Sequence, residues 1–425
     1  MNPQSDSPAP REGTAAQLAF LQELVRADTT TLGHGILGGN EIAGQRVIQR
    51  KLEEIGADEI DVWELDNADL ESRFYEFNRG HATAGRPNVV GVFKGTGGGR
   101  SLILNGHVDV MPAGDELAWT SPPFAAEVRD GQLVGRGACD MKGGLAAAIL
   151  AVETIRRRGV KLRGDVIVES VVDEEGGGNG TMGAVARGYR ADGAIVCEPT
   201  SLQIHHAHMG WLFFRVATSG RALHSAQLWK GVNAIQKAIK LIHALDELEQ
   251  RWLMTRRMPG LPGPTINVGV IQGGIAGSVV PDACEFKLCL HYLPTDLDEN
   301  GTGAAVEREV REHLLRTARG DEWLAEHPPT IEKYQEGSAF HLDPSHPLPQ
   351  LVSRITASVT GAPPVLRGSE FGTDARILNN LGGTPTVILG PGDASQAHAV
   401  DEKLDLAQFF QAIEIYTRVI TEWCR

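Results

Sequence analysis

Nothing in this 425-residue sequence is apolar over a length that could span a bilayer, since no apolar run approaches the ~20 residues a span requires. Basic charge is short as well, with 40 Lys and Arg against 54 Asp and Glu and a formal net charge of -14. That balance excludes the basic face that nucleic acid or an anionic membrane calls for, and most of the acidity reads as solubilising surface. Cysteine is scarce. The five (Cys139, Cys197, Cys284, Cys289 and Cys424) form no CxxC pair and no dense framework, which points to a reducing compartment and a cytoplasmic protein. The start, MNPQSDSPAPREG, is polar and proline-rich and lacks the apolar stretch of a secretory signal. No segment repeats at a fixed period. What remains is an ordinary globular composition, 42% hydrophobic and 22% charged, in a chain long enough that two domains are expected.

The first 13 residues are expected to fray. Helical periodicity follows over residues 14–25 and 40–56, then a strand over 60–63 and a turn-rich loop, FYEFNRGHATAGR, over 74–86. Residues 88–93 and 101–104 read as a hairpin closed by the glycines of GTGGGR. An Ala-rich helix spans 141–158, and its opening Lys142, Gly143 and Gly144 let it start close against another backbone. Apolar strands follow over 166–172 and 193–196. From about Met209 the pattern becomes strand–helix–strand–strand–helix–strand up to residue 334, which suits a small α/β domain with an antiparallel sheet and helices on one face. Beyond residue 338 the first domain resumes, with a helix over 351–359, a strand over 385–389 and a last helix over 406–423.

The stretch LILNGHVD, residues 102–109, ends an apolar run in His107 and Asp109, with Gly106 placed where a tight turn is expected. An imidazole at the end of a buried strand, with a carboxylate two residues on, is how a metal ligand is held: the strand fixes its position and the carboxylate its tautomer. Asp140, Glu174, Glu175, Glu198 and His398 likewise sit at or beyond the ends of expected buried elements. In an open α/β sheet the strand ends form the ligand crevice. Taken singly, each has an ordinary reading: Asp140 as a helix cap, Glu174-Glu175 as a solvated strand end, His398 as a surface-loop residue. Jointly they have the composition of a two-metal hydrolase. Two divalent ions need a bridging carboxylate, further ligands for each ion, and a non-ligating carboxylate to take a proton from water. Mixed nitrogen and oxygen donors favour zinc, with cobalt or manganese as substitutes.

The segments SLILNGHVDVMP, GRGACDMKGGLAA, SVVDEEGGGNGT, CEPT and AHAVDE resemble, in that order, the motifs of the M20 family of metallopeptidases and amidohydrolases, over about residues 15–420. That family includes acetylornithine deacetylase, succinyl-diaminopimelate desuccinylase, aminoacylase-1 and a glutamate carboxypeptidase. The resemblance implies a zinc-peptidase-like catalytic domain, with a central mixed sheet and helices on both faces. A smaller ferredoxin-like α/β lid and dimerisation domain would be inserted in it, giving boundaries of 1–208, 209–336 and 337–425. It implies that His107 and Glu198 bind one ion, Glu175 and His398 the other, and Asp140 both, with Asp109 orienting His107. Glu174 would be the general base for a metal-bridging water, and the Asp140–Met141 peptide would be cis. In GRALHSAQ it assigns His224 to the carbonyl oxygen in the partner subunit's active site, so a homodimer is expected. Asn267 and the Gly372–Arg376 loop match substrate-meeting positions. Where relatives that bind a substrate carboxylate have arginine, this chain has His291, which is no bidentate clamp. Either another group takes the carboxylate, with Arg376 a candidate, or the substrate is a neutral or differently shaped N-acyl compound. The function implied is hydrolysis of a small N-acyl amide; a dipeptidase or carboxypeptidase, a formylaminopyrimidine deformylase and a non-catalytic metal-binding protein are the alternatives.

Overall fold

Leu102–His107 is buried along its whole length, as are Asn88–Phe93 and Val166–Val171, and strands without a wet face belong inside a sheet covered on both sides. In this computed structural model, which describes residues 12–369 and 371–425, they lie in such a sheet. Its order is Glu59–Trp63, Asn88–Phe93, Val166–Val171, Leu102–His107, Ala194–Val196, Thr386–Ile388 and Ile204–His208. Val166–Val171, Leu102–His107, Ala194–Val196 and Thr386–Ile388 run parallel, and the flanking strands pair antiparallel. Four strands therefore deliver their carboxyl ends to one edge.

The helices cover both faces because neighbouring residues on a strand point opposite ways. Ser170 Oγ bonds to Gln45 of helix Ile42–Ile55, 2.7 Å away. On the other face Asn105 Nδ2 bonds both Glu169 and Thr181, the latter on helix Asn179–Arg187. Helix Gly143–Arg157 packs on the Ser170 face and against the final helix, Leu406–Trp423. The expected close start is realised: a Cβ on Gly144 would lie 1.8 Å from the Cys197 carbonyl oxygen.

The chain divides into two compact units, one taking in the chain through His206 with Leu342–Leu366 and Thr373–Arg425, the other Ala207–His341 with Arg367–Gly372. The second unit has an antiparallel sheet in the order Thr265–Gly273, Ala283–Tyr292, Gly210–Ser219, Thr330–Gly337. Alternate residues, among them Leu212, Phe214, Phe286 and Leu288, form one core with Leu241, Leu245 and Trp252 of helix Ala234–Thr255 and Val310 and Leu314 of Ala304–Arg319. The strand and helix order is the one the sequence pattern implies.

Three expectations need correction. Residues 88–93 and 101–104 do not form a hairpin, because Val166–Val171 lies between them and pairs with both. The glycines instead admit the chain that enters that strand: a Cβ on Gly95 would be 2.3 Å from the Arg163 carbonyl oxygen, and on Gly99 2.4 Å from the Gly164 nitrogen. Gly106 is not in a turn; it sits within the buried strand, where a Cβ would come 3.2 Å from Leu145 Cβ. Of the expected tail, residues 1–11 lie outside the described residues, and Glu12 already opens helix Glu12–Arg26. Among the described residues no helix is long and apolar enough to cross a membrane.

Because the Gly144 contact is with backbone, Gly144→Ala must push the helix off the strand end. Overpacking of this kind costs roughly 1–3 kcal/mol. A urea-unfolding midpoint equal to that of the unsubstituted protein would refute the close approach.

Candidate metal centre

Each parallel strand hands one or two chemical groups to the common edge. His107 is the last residue of its strand, and Glu174 and Glu175 follow Val166–Val171 through a tight turn at Asp173. There Gly177 and Gly178 N–H donate to the Glu174 and Asp173 carbonyls at 2.7 and 2.8 Å. Glu198 lies two residues past Ala194–Val196. Asp140 precedes helix Gly143–Arg157, across a cis Asp140–Met141 peptide as the resemblance implies, and His398 lies beyond Thr386–Ile388.

The six side chains form two adjoining groups. Ligand atoms of His107, Glu174 and Glu198 lie within 4.8 Å of one another, and so do those of Asp140, Glu175 and His398. Asp140 faces both groups: its Oδ1 is 3.2 Å from His107 Nε2, and its Oδ2 is 3.5 Å from His398 Nε2. His107 Nε2 also stands 3.6 Å from Glu198 and 3.9 Å from Glu174, while His398 Nε2 is 3.0 Å from Glu175. His398 is exposed where His107 is buried, so the cluster opens to solvent on the His398 side.

The electrostatics fit cations. Burial raises the Glu174 and Glu198 carboxyls well above the ordinary carboxylate range and raises Glu175 as well, and the neighbouring carboxylates add to each shift. Burial alone would lower His107, but its bond to Asp140 and the charges of Glu198, Asp109 and Glu174 outweigh it and raise the imidazole well above its usual value. Four carboxylates and two imidazoles converging in a mostly buried space form a donor set whose charge two divalent ions would neutralise.

Around these groups the main chain and buried ions fix orientation. His107 Nδ1 donates to the Asp109 carbonyl oxygen at 2.9 Å, which leaves Nε2 turned to the cluster. The Asp109 carboxylate was expected to make this contact but stands 3.6 Å from Nδ1; it accepts the N–H groups of Glu175 and Glu174 at 3.1 and 3.4 Å. Asp173 bonds His81 Nδ1 at 2.8 Å and Arg86 Nη2 at 3.1 Å, and Arg86 also pairs with Glu41 at 2.6 Å. Sequence reasoning missed His81 and Arg86, which fall in the turn-rich loop. Their partner lies about ninety residues on, and no local pattern announces it.

The substrate positions fare differently. Arg376 is 1% exposed; its Nη2 donates to the Gly177 carbonyl at 2.7 Å, and its Nε lies 3.2 Å from Glu76. It is therefore a buried brace of the Gly177 turn. Asn267 and His291 share the sheet face that points away from the helix-covered core of the second unit. His291 Nδ1 is 3.3 Å from Thr265 Oγ1, and burial lowers its pKa below the ordinary imidazole value, so the ring is uncharged at neutral pH. His224 is exposed in the same unit, and its Nδ1 accepts the Ala226 N–H at 3.2 Å.

Residues 103–422 match the family described as Peptidase family M20/M25/M40. The chain belongs to this family. Among relatives, N-formyl-4-amino-5-aminomethyl-2-methylpyrimidine deformylase of Halalkalibacterium halodurans is 35% identical over 429 residues, covering 96% of this chain and 94% of that one. Acetylornithine deacetylase of Myxococcus xanthus is 32% identical over 341 residues, covering 79% and 84%. A tripeptidase structure from Staphylococcus aureus shares the fold with a TM-score of 0.74, at 20% identity and coverage of 97% and 99%. With its two groups of ligands, this M20 chain is a metal-dependent hydrolase with a dinuclear divalent-metal site.

Proton linkage follows from the raised groups. A ligand must be deprotonated to bind metal, and Glu175, Glu198 and His107 hold protons at higher pH than ordinary carboxylates and imidazoles do. Metal uptake therefore releases protons, and affinity falls as pH drops through neutrality rather than only near the usual carboxylate pKa. Zinc calorimetry in buffers of different ionisation enthalpy measures the release; an affinity that is flat from about pH 8 to 6 would contradict the linkage.

Proposed function

We propose that this M20 hydrolase removes the acyl group from a small, neutral N-acyl amine, and that an N-formyl aminomethylpyrimidine is its substrate type. The reaction joins water to a formamide and yields formate and a free amine. The observation that carries the chemistry is Glu174 beside His107 and Glu198, next to a second ligand group that shares Asp140. His107, Glu198, Asp140, Glu175 and His398 would hold two divalent ions, which would supply Lewis acidity to the carbonyl and lower the pKa of water. Glu174 accepts the proton of the attacking water. Its burial-raised carboxyl makes it a stronger base than an ordinary glutamate, and once protonated it is placed to deliver that proton to the departing amine. Asp109 holds the main chain of Glu174 and Glu175, so base and ligand keep a fixed spacing.

His224 has the tautomer needed for an oxyanion donor: with Nδ1 accepting from Ala226, the neutral ring carries its hydrogen on Nε2. In this reading it acts in the site of a second subunit, and the inserted unit is a ferredoxin-like lid through which a cytoplasmic homodimer forms. The strand order of that unit supports the ferredoxin-like assignment. The preference for a neutral amine rests on the uncharged His291 and on Arg376 being committed to internal partners. The deformylase relative, which spans nearly the whole chain, supports the formyl pyrimidine in particular. The acetylornithine deacetylase relative names the competing substrate type, one with a charged α-carboxylate.

Glu174→Gln is expected to lower kcat by at least about 10²-fold while both metal equivalents are retained. Substantial turnover in metal-replete E174Q would rule out Glu174 as the base. In a panel of N-formyl, N-acetyl, N-succinyl and dipeptide substrates, the formylaminopyrimidine should give the highest kcat/KM; a preference for N-acetylornithine would reverse the substrate assignment. His224→Ala should reduce kcat by about 10²–10³-fold, as for loss of an oxyanion donor. An unchanged kcat would remove His224 from the reaction.

A further inference from the structure

The AHAVDE segment supplies His398, yet its last residue has no part in the chemistry above. Glu402 is completely buried, and both of its carboxylate oxygens accept hydrogen bonds. Oε1 takes the N–H groups of Cys139 at 2.8 Å and Asp140 at 3.0 Å. Oε2 takes the Gly137 N–H at 2.9 Å and Arg136 Nη1 at 2.8 Å. One carboxylate thus gathers four donors from the five residues that end in Asp140. Arg136 extends the arrangement, because its Nη2 donates to the carbonyl oxygen of His398 at 3.2 Å and lies 3.3 Å from that of Pro112.

The position of Asp140 makes this arrangement consequential. Its two oxygens face opposite neighbours, Oδ1 toward His107 and Oδ2 toward His398. A carboxylate shared in this way tolerates little rotation or displacement of its own backbone, and the Asp140 N–H is held by Glu402. The same Glu402–Arg136 pair reaches His398, which belongs to the group with Asp140 and Glu175 and not to the group with His107, Glu174 and Glu198.

We propose that Glu402 is a positioning residue for the shared ligand Asp140 and, through Arg136, for His398, so that it governs the affinity of the ion held by Asp140, Glu175 and His398. The proposal rests on the two-ion reading of the site. Glutamine at 402 would place an amide NH2 against N–H donors and lose up to two of the four bonds. Aspartate keeps the charge but shortens the arm. Losing a group that orients metal ligands weakens metal binding by about 10–100-fold.

The test is a cobalt(II) titration of the metal-free full-length protein, followed by its visible absorption and by metal analysis, on the unsubstituted chain, Glu402→Gln, Glu402→Asp and Arg136→Lys. In E402Q one equivalent should lose about 10–100-fold in affinity and the other markedly less, and E402D should recover part of the loss. Unchanged affinities, or equal weakening of both equivalents, would overturn the proposal. If E402Q does not yield folded protein by circular dichroism, R136K decides. It keeps a positive charge but removes the link from the guanidinium to the His398 carbonyl; selective loss at one equivalent supports the proposal and an unaltered titration overturns it. An unsubstituted chain that binds a single ion would overturn the two-ion reading itself, and this inference with it, which separates that failure from a failure of Glu402 alone.

Discussion

Four carboxylates crowded around two histidines at the edge of one sheet are the constraint on which the rest of this structure depends. Two like charges about 4 Å apart repel by about 4 kcal/mol at an effective dielectric near 20. Several such pairs together rival the ~5–15 kcal/mol by which a typical protein is stable at all. The cluster therefore exists only when its charge is compensated, by protons or by metal. Burial and the neighbouring carboxylates raise Glu174, Glu175 and Glu198, so the site favours protons when no cation is near. Two divalent ions satisfy the same demand and bring the Lewis acidity that amide hydrolysis needs.

A cluster under that repulsion has to be restrained from outside, and the restraint is mostly main chain. Asp109 and Glu402 are buried acids whose oxygens accept backbone N–H groups from the segments that carry Glu174-Glu175 and Asp140. Arg376 braces the Gly177 carbonyl, and the Arg86–Asp173 pair anchors the residue just before Glu174. Parallel strands set where each ligand leaves the sheet, the close start of helix Gly143–Arg157 at Gly144 sets how near Asp140 can come to Glu198, and the buried acids set the angles.

Most of the candidate ligands were readable in the sequence because they lie just beyond an apolar strand or head a helix, so local pattern and chemical type coincide, whereas His398 lies well past its strand and was legible only through the AHAVDE segment. The inserted unit was readable for the same reason, since its strand and helix periods alternate in sequence order. What escaped was non-local. The supposed hairpin at GTGGGR failed because the strand that separates its arms arrives more than sixty residues later. Strand Ile204–His208 was missed because three of its five residues are histidines, although all five are buried. Arg86 and His81 carry no local signature, as the Asp173 they share lies about ninety residues away, and Glu402 ends the AHAVDE segment but has its partners about two hundred and sixty residues away. Arg376 was expected as a substrate group from its place in a loop, and its burial and its bonds to Gly177 and Glu76 were not legible in the sequence.

Chemistry and choice of substrate are separable in such a design. The ligands and their restraints all belong to the first unit, whereas Asn267, His291 and His224 belong to the second. His291 lies on an antiparallel sheet face turned away from its core, where its identity leaves the packing of Phe286, Leu288 and Leu290 untouched. Under the proposed function, a half-buried, neutral imidazole at this position offers no fixed positive charge to an α-carboxylate, and no metal ligand is involved. In the same reading, that sheet face of the second unit is where a neutral N-acyl compound is selected over an α-carboxylate, while the metal centre stays with the first unit.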